Sequence, residues 1–185
     1  MAEIKQLYTL QTDEDFSRLS FPLNSREIRQ LEHQILENGC TTPIRVWNSY
    51  IVMDFEIYEI CHKHKIPFSI VKLPLKERIE VIAYVCQMQI KERKMTEAMW
   101  RYLVGKRYDC ERLLGKHTVA KGTASKKRGR PSLNNFHYDS SKVGTRQRLG
   151  EEYHISETTV FKYGFLCKEL TNYINMCRSW QHTFK

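Results

Sequence analysis

Two short clusters contain residue types that bind metal ions. Asp54, Glu56 and Glu59 lie close together in the sequence, and carboxylates are ligands that suit Mg²⁺. At helical spacing Glu56 and Glu59 share one face, as many solvated pairs do. The segment Cys61-His62-Lys63-His64 has no partner pair elsewhere to complete the three or four ligands of a metal site. It is interpreted as the polar end of a helix, and we predict no metal and no cofactor.

Basic residues are concentrated in the second half of the chain. The 185 residues include 30 Lys and Arg against 21 Asp and Glu, a formal net charge of +9. Residues 1–90 carry 10 basic and 12 acidic side chains, and residues 91–185 carry 20 and 9, so the net charges are −2 and +11. Such asymmetry predicts that one part of the molecule contacts nucleic acid or a membrane surface.

Membrane insertion and secretion are not expected from the sequence. No apolar run reaches the ~18–20 residues of a membrane span, and the N-terminus has no apolar signal-peptide core. The six cysteines form no C-x-x-C pair and are read as small buried hydrophobic residues in a reducing compartment. We therefore expect a cytoplasmic protein that does not associate with a membrane.

The spacing of apolar residues from Thr145 to Tyr163 predicts two helices joined by a turn. His154 occupies the turn position that favours a left-handed backbone, and Ser156 is a good N-cap for the second helix. Gly150 is small enough for two helices to cross closely. The residues predicted to face inward are Leu149, Tyr153, Ile155, Val160 and Tyr163.

This arrangement resembles the helix-turn-helix of bacterial DNA-binding proteins, in which the second helix enters the major groove. Lys142, Arg146 and Gln147 lie near the first helix, where phosphates would pass. A plain helical hairpin with solvated faces is the alternative, and the +11 charge favours double-stranded DNA. The class also predicts a homodimer. The candidate groove-facing residues of the second helix are Ser156, Glu157, Thr158, Phe161 and Lys162.

The segment Arg128-Gly129-Arg130-Pro131 resembles the core of an AT-hook. The glycine would let an extended backbone settle into the narrow minor groove, where A·T tracts concentrate negative potential on Arg128 and Arg130. The alternative is a solvated basic linker. Both interpretations predict additional salt-sensitive affinity for DNA.

The predicted elements divide the chain into four segments. Residues 1–74 form a small α+β unit, residues 75–115 a helical middle segment that packs on it, residues 116–140 a flexible basic linker, and residues 141–185 the helix-turn-helix domain. In order, the elements are a helix capped by Ser25 and ended by Gly39, a hairpin of strands 44–47 and 50–53 with its turn at Asn48-Ser49, a helix over 55–64, a strand over 68–73, a helix over 75–91, and a helix capped by Thr96 and closed by Gly115.

Five stretches of the N-terminal half are typical of one family: Phe21-Pro22-Leu23, Leu31 to Asn48, Tyr58 to Cys61, Lys65 to Phe68, and Gln89 with Arg93 and Thr96. In these stretches the sequence resembles the ParB/sulfiredoxin-like proteins of bacterial chromosomes, plasmids, phages and conjugative elements. The resemblance implies an α+β N-terminal ParB/sulfiredoxin-like domain followed by an all-α helix-turn-helix domain. The sulfiredoxin branch needs a reactive Cys beside its phosphate motif, and Cys61 lies a helical turn too late.

The phosphate-binding motifs of that family are altered in this sequence. The family's D-G-H-N-R type motif falls on Met53, Asp54, Phe55, Glu56 and Ile57, and none of the five matches. In the later N-Q-x-G-R-R-N type box only Gln89 and Arg93 remain. An unpaired Asp54, with Glu56, would repel a triphosphate. The resemblance therefore implies a degenerate nucleotide pocket without binding or hydrolysis of CTP.

The residues and the resemblance together predict a sequence-specific DNA-binding protein that is not an enzyme. We expect it to be nucleoid-associated, to belong to a mobile element, plasmid or phage, and to act in transcriptional regulation or in partition and maintenance. The alternative is a ParB-like CTP-dependent switch or nuclease using altered ligands. An adaptor, in which the N-terminal domain binds a protein partner, is compatible with the first interpretation.

Overall fold

A computed structural model describes the backbone of residues 7–120 and 144–183, and side chains within residues 7–114 and 144–171. The chain divides into two compact units between Lys94 and Met95. The elements of the first unit are β1 (Gln11–Thr12), α1 (Glu14–Leu19), α2 (Ser25–Asn38), β2 (Ile44–Trp47), β3 (Tyr50–Ile51), α3 (Phe55–His64), β4 (Ile70–Lys72) and α4 (Arg78–Glu92). Those of the second are α5 (Glu97–Ala120), α6 (Thr145–Tyr153) and α7 (Glu157–Thr183).

A four-stranded sheet with the order β1-β3-β2-β4 organises the first unit. Strands β2 and β3 form the predicted antiparallel hairpin, and β1 and β4 add to its two sides in parallel. Asn48 and Ser49 both have positive φ, 47° and 70°, which is the backbone that a tight hairpin turn of this twist requires. The predicted hairpin is therefore confirmed, with its turn at the predicted residues.

The side chains of β2 alternate between a face that joins the core and a face that is only partly buried. Ile44 and Val46 are buried, whereas Arg45 and Trp47 are only partly buried on the opposite side, as the two-residue period of a strand dictates. The buried side joins a hydrophobic cluster that includes Ile35, Ile51 and Phe68. The other side places the Arg45 guanidinium next to the start of α3.

The ends of the helices in the first unit follow local capping chemistry. Asn24, not Ser25 as predicted, caps α2, because its side chain accepts hydrogen bonds from the backbone N–H groups of Arg26 and Glu27. The Glu27 carboxylate in turn accepts a hydrogen bond from the Asn24 backbone N–H at 3.0 Å. Gly39 ends α2 with φ of +70°, as predicted. Helix α3 has the predicted bounds, Phe55–His64.

The division at Lys94 separates the two helices of the predicted middle segment. Helix α4 packs on α1 in the first unit, whereas α5 packs on α6 and α7 in the second. Helix α5 also continues past Gly115, its predicted end, to Ala120. The predicted linker therefore overlaps the last turn of α5, and its residues 121–140 lie outside the described residues.

Three glycines allow the helices of the second unit to approach closely. A Cβ on Gly105 of α5 would lie within 2.2 Å of the Tyr163 carbonyl oxygen, and one on Gly164 within 2.5 Å of the Tyr108 ring. A Cβ on Gly150 would lie 2.8 Å from the Ile155 carbonyl oxygen. These contacts fix the crossing of α5 with α7 and the turn after α6.

Four of the five residues predicted to face inward form a hydrophobic cluster with Tyr108 of α5. Leu149 and Val160 are fully buried there, and Tyr153 and Ile155 pack against them. Tyr163, the fifth, is only partly buried and is not in this cluster. Across the described residues, no helix is both long enough and apolar enough to span a lipid bilayer.

Candidate functional site

Asp54, the first acidic residue at the altered phosphate motif, forms an ion pair with Arg45. The Arg45 Nε donates to Asp54 Oδ2 at 2.8 Å and Nη2 donates to Oδ1 at 2.7 Å. The Asp54 side chain is 10% exposed and that of Arg45 is 19% exposed. The expectation of an unpaired Asp54 is therefore wrong: Arg45 of β2 supplies its counter-charge, from a position outside both altered motifs.

Glu92 at the end of α4 completes the group that we call the Arg45 cluster, namely Arg45, Asp54 and Glu92. Arg45 Nη1 and Nη2 donate to the two Glu92 carboxylate oxygens at 3.0 and 3.1 Å. The hydrogen bond to Asp54 raises the pKa of Arg45 above its ordinary value; burial opposes this rise, and the bond to Glu92 adds to it. One guanidinium thus joins β2, the start of α3 and the end of α4.

The other positions of the altered motifs also bind groups of their own unit. Glu56 accepts a hydrogen bond from the Leu23 backbone N–H at 3.0 Å and lies 3.4 Å from Arg93 Nη2. Gln89 is 1% exposed, and its Oε1 accepts from the Phe21 backbone N–H at 3.3 Å. Phe55 and Ile57 pack against the hydrophobic core.

Asp54, Glu56, Gln89 and Arg93 all lie on or directly beside α3 and α4, and each is bonded to another group of the first unit. Two guanidinium groups there bind three carboxylates, which leaves a net charge of −1 and no surplus positive charge for an added anion. Within the described part of the chain, no three Asp, Glu, His or Cys side chains gather as metal ligands. Cys61 is buried, and burial raises the pKa of its thiol to about 12, which disfavours the reactive thiolate form.

The outward side of α6 and of the start of α7 carries a second group of predicted residues. The Arg146 guanidinium lies over the Phe161 ring, 5.7 Å from its centroid. Phe161 is 51% exposed. Glu157, Thr158 and Lys162 are also exposed. Cationic, aromatic and hydroxyl groups therefore share an accessible surface, which we call the α6–α7 surface.

Two predicted residues of this region make local hydrogen bonds. Ser156 Oγ accepts from the Thr159 backbone N–H at 3.1 Å and lies 2.8 Å from Thr159 Oγ1. Ser156 is therefore an N-cap, as predicted, and its hydroxyl fixes the start of α7. Gln147 Nε2 donates to Glu151 Oε1 at 3.1 Å. His154 adopts the predicted left-handed conformation, with φ of 55°.

A buried arginine that the sequence reasoning missed holds α6 on α5. The Arg107 side chain is 4% exposed and donates to Glu111 at 2.7 Å and to Glu152 at 2.6 Å. Arg148 also binds both carboxylates, and Arg107 contacts the Tyr153 hydroxyl. Glu152 is thereby engaged by cations. The four-residue spacing of Arg107 and Glu111 was visible in the sequence, but the partners on α6 were not.

The remaining predicted DNA-binding residues, Arg128, Arg130 and Lys142, lie outside the described residues. The predicted minor-groove contact and the predicted phosphate contact of Lys142 therefore stay predictions.

Two solved structures of ParB N-domains have a similar fold. One, a crystal form of a Pnob8-like ParB-N domain, has a TM-score of 0.55 and 16% identity, and the match covers 85% of this chain and 66% of that one. The other, a pNOB8-like ParB N-domain, has a TM-score of 0.52 and 15% identity, with coverage of 85% and 60%. The chain thus spans less than two thirds of either structure's length. No protein-family model and no curated protein matches the chain. The likeness confirms the predicted ParB-like fold.

Proposed function

We propose that the chain is a sequence-specific DNA-binding protein in which α6, the turn at His154 and α7 act as a helix-turn-helix. In this class the second helix lies in the major groove and its N-terminal residues contact base edges. The observation that carries the proposal is the α6–α7 surface. There Arg146 lies over Phe161, beside the exposed Thr158 and Lys162 at the start of α7.

Each exposed group on this surface matches a feature of duplex DNA. Lys162 and Arg146 supply positive charge for phosphates. The Thr158 hydroxyl bonds base edges, its methyl and the Phe161 ring suit a thymine methyl, and the Glu157 carboxylate accepts from cytosine N4. Two carboxylates of α6, close to where DNA phosphates would pass, already have partners within the protein. Glu152 binds Arg107 and Arg148, and Glu151 accepts a hydrogen bond from Gln147. Local repulsion of phosphates is thereby reduced.

The test begins with selection of bound sequences from a random pool of duplex DNA. Anisotropy titrations at two salt concentrations then compare wild type with Lys162→Glu and with Lys72→Glu, an exposed lysine on β4. We expect Lys162→Glu to weaken binding at least about tenfold and to lower the salt slope by roughly one phosphate. Lys72→Glu should bind like wild type. Equal losses in both variants, or wild-type binding that does not respond to salt, would refute the proposal.

We infer that the ParB-like unit works without a nucleotide and that the chain is not an enzyme. The support is electrostatic: the Arg45 guanidinium, a cation that would otherwise be available to phosphate, is bound by Asp54 and Glu92. A triphosphate would have to displace these carboxylates or approach them. Calorimetry with CTP and ATP, each with Mg²⁺, should show no saturable heat. Saturable heat with CTP would favour the alternative, a ParB-like switch or nuclease with altered ligands.

We infer the biological role from the ParB-like fold together with the proposed DNA interface. The similarity to ParB N-domains supports partition or maintenance of a plasmid, phage or other mobile element, with transcriptional regulation as the related use of the same DNA binding. We propose a cytoplasmic, nucleoid-associated homodimer whose ParB-like unit binds a protein partner. Mapping of bound genomic sites checks the role: sites clustered at one locus support partition, and sites at promoters support regulation.

A further inference from the structure

A small cavity lies between α5 and α7, next to the α6–α7 surface. Its volume is about 140 Å³, below the ~300–1,000 Å³ of sites that enclose a whole small molecule, so it suits a single group of a larger ligand. We call it the Asp109 pocket. It is lined by Tyr108, Asp109 and Arg112 of α5 and by Phe161, Phe165 and Lys168 of α7.

Asp109 is the buried acid of this pocket, and two cations share it. Its side chain is 12% exposed. Lys168 Nζ lies 3.3 Å and Arg112 Nη2 lies 3.6 Å from Asp109 Oδ1. Neither contact is a hydrogen bond, since Oδ1 is buried without a hydrogen-bond partner among the described residues. One carboxylate therefore faces two cations, and the group of three side chains carries a net charge of +1.

The two cations of the pocket have donors that their contacts with Asp109 do not use. The Arg112 and Lys168 side chains are 30% and 50% exposed, and a guanidinium has five N–H donors and an ammonium three. In Arg45, by contrast, Nε, Nη1 and Nη2 all donate to carboxylate oxygens at 2.7 to 3.1 Å. The Asp109 pocket thus has the surplus positive charge that the Arg45 cluster lacks.

The pocket is continuous with the surface that we propose for DNA. Phe161 lines the pocket, and its ring also contacts Arg146 on the α6–α7 surface. From Phe161 to Lys168 is two turns of α7, about 10 Å, a length that spans about three phosphates of one strand at ~3.4 Å each. A DNA strand that passes Arg146 would therefore reach the pocket a few nucleotides further on.

We propose that Arg112 and Lys168 together bind one backbone phosphate of duplex DNA, and that the adjoining deoxyribose packs on the Phe165 ring. The phosphate oxygens accept charge-assisted hydrogen bonds from both cations, and the surplus charge of +1 balances one phosphodiester. The Phe165 side chain, 58% exposed, presents an apolar face to the sugar. This contact rests on the proposed function and extends it, because phosphate contacts fix the register of a protein on the duplex without reading its sequence.

Anisotropy titrations of the full chain at two salt concentrations test the contact, with the selected duplex and a scrambled duplex. Arg112→Gln and Lys168→Gln should each weaken binding to both duplexes about three- to tenfold and lower the salt slope by roughly one phosphate, because either change removes the surplus charge. Arg112→Lys keeps the charge and should bind within about twofold of wild type. The controls Arg29→Gln on α2 and Lys72→Gln on β4, both exposed, should bind like wild type.

Three results would overturn the phosphate contact. If both Gln variants bound the selected duplex like wild type, the proposed function would stand and the surplus charge would be left for an acidic segment of a partner protein. A loss confined to the selected duplex would assign the two cations to base reading, and an equal loss in the controls would remove any role of the pocket. A wild type that bound neither duplex would refute the proposed function and this contact with it.

The comparison does not depend on the partly buried Arg112. If Arg112→Gln loses its helical circular dichroism, Lys168→Gln decides alone, because half of the Lys168 side chain is exposed and its loss leaves the packing of α7 intact.

Discussion

The Arg45 cluster and the α6–α7 surface contain similar charged residues in opposite situations. In the cluster, the Arg45 guanidinium binds two carboxylates, Asp54 at the start of α3 and Glu92 at the end of α4. The side chains of Arg45 and Asp54 are 19% and 10% exposed. On the α6–α7 surface, Lys162 and Arg146 are exposed. The charges of the Arg45 cluster therefore stabilise the fold, whereas those of the α6–α7 surface are accessible to another molecule.

Salt should affect these two regions differently. Exposed charges are screened over about 8–10 Å at physiological ionic strength, whereas partly buried pairs are screened much less. Added salt should therefore weaken DNA binding through Lys162 while leaving the contribution of the Arg45 cluster to the free energy of unfolding nearly unchanged. Each of the following predictions tests one side of that contrast.

The largest expected effect is the loss of the Arg45 cluster. Replacing Arg45→Met leaves Asp54, whose side chain is 10% exposed, and Glu92, whose side chain is 36% exposed, without their shared cation. Removing one partner of a buried ion pair leaves an uncompensated charge, so we expect a loss of about 3 kcal/mol in the free energy of unfolding. Urea denaturation followed by circular dichroism measures it.

The control for Arg45 is Arg29→Met on α2, where the side chain is exposed. A surface substitution of this kind should change stability by less than about 0.5 kcal/mol. The double variant Arg45→Met with Asp54→Asn should regain part of the loss, because it removes one of the unpaired charges. If Arg45→Met were as mild as Arg29→Met, the cluster would not hold the fold.

The next effect concerns the crossing of α5 and α7, which presents the exposed surface. Gly105→Ala would place a Cβ within 2.2 Å of the Tyr163 carbonyl oxygen, and backbone atoms cannot yield as a flexible side chain does. We expect a loss of about 2–3 kcal/mol from overpacking. Gly144→Ala is the matched control, because its Cβ would meet nothing within 4 Å. Equal stabilities by thermal denaturation would argue against a tight crossing.

Several local patterns predicted from the sequence are confirmed by the structure. The turn at Asn48-Ser49, the bounds of α3 and the left-handed His154 each depend on a few neighbouring residues, whose backbone preferences are strong. The predicted N-cap of α2, Ser25, is one residue away from the observed N-cap, Asn24, because both residue types are good caps. Only the reciprocal bond with Glu27 distinguishes them, and Glu27 is the third residue after Asn24.

Partners that are distant in the sequence were not predictable. Arg45 and Glu92 are 47 residues apart, and Arg107 and Glu152 are 45 apart. Many carboxylates lie within reach of an arginine until the topology is known, and a charge pattern alone does not rank them. Likewise Gly105 carries no sign in the sequence that it lies against Tyr163. The altered motif was therefore visible in the sequence, but the internal ion pairs at its positions required the fold.

A smaller effect is expected at the aromatic residue of the α6–α7 surface. Phe161→Ala removes the ring beneath Arg146, and with it the apolar contact proposed for a thymine methyl. We expect DNA affinity to fall about tenfold, within the ~1–3 kcal/mol of a lost base contact, while stability stays within about 0.5 kcal/mol because Phe161 is 51% exposed.

Leu36→Ala is the control for this variant, since Leu36 is comparably exposed on α2. Anisotropy with the selected duplex measures binding, and denaturation measures stability. If Phe161→Ala lost stability but kept its DNA affinity, the Phe161 ring would contribute to the fold and not to DNA binding.

The smallest expected effect is on the free energy of unfolding and comes from the cap of α1 by Asp13. It tests whether a paired carboxylate stabilises the fold only while it is ionised. Asp13 accepts from the backbone N–H groups of Asp15 and Phe16 and from Arg78. Burial by itself raises the pKa of Asp13, but the bond from Arg78 and the two backbone bonds outweigh it and hold the pKa below the ordinary 3.8.

A lowered pKa in the folded state means that the stabilisation is complete above about 3.8, the unfolded value, and is lost as pH falls through the folded value. Asp13→Ala should therefore cost about 1 kcal/mol at pH 7, and the gap to wild type should narrow only as pH falls below about 3.8. Asp13→Asn keeps a capping acceptor without the charge, so its gap should be smaller at pH 7. Urea denaturation of the three proteins from pH 7 to below the pKa of Asp13 measures this. A difference in the free energy of unfolding between wild type and Asp13→Ala that did not change with pH would mean that the charge of Asp13 contributes nothing to stability.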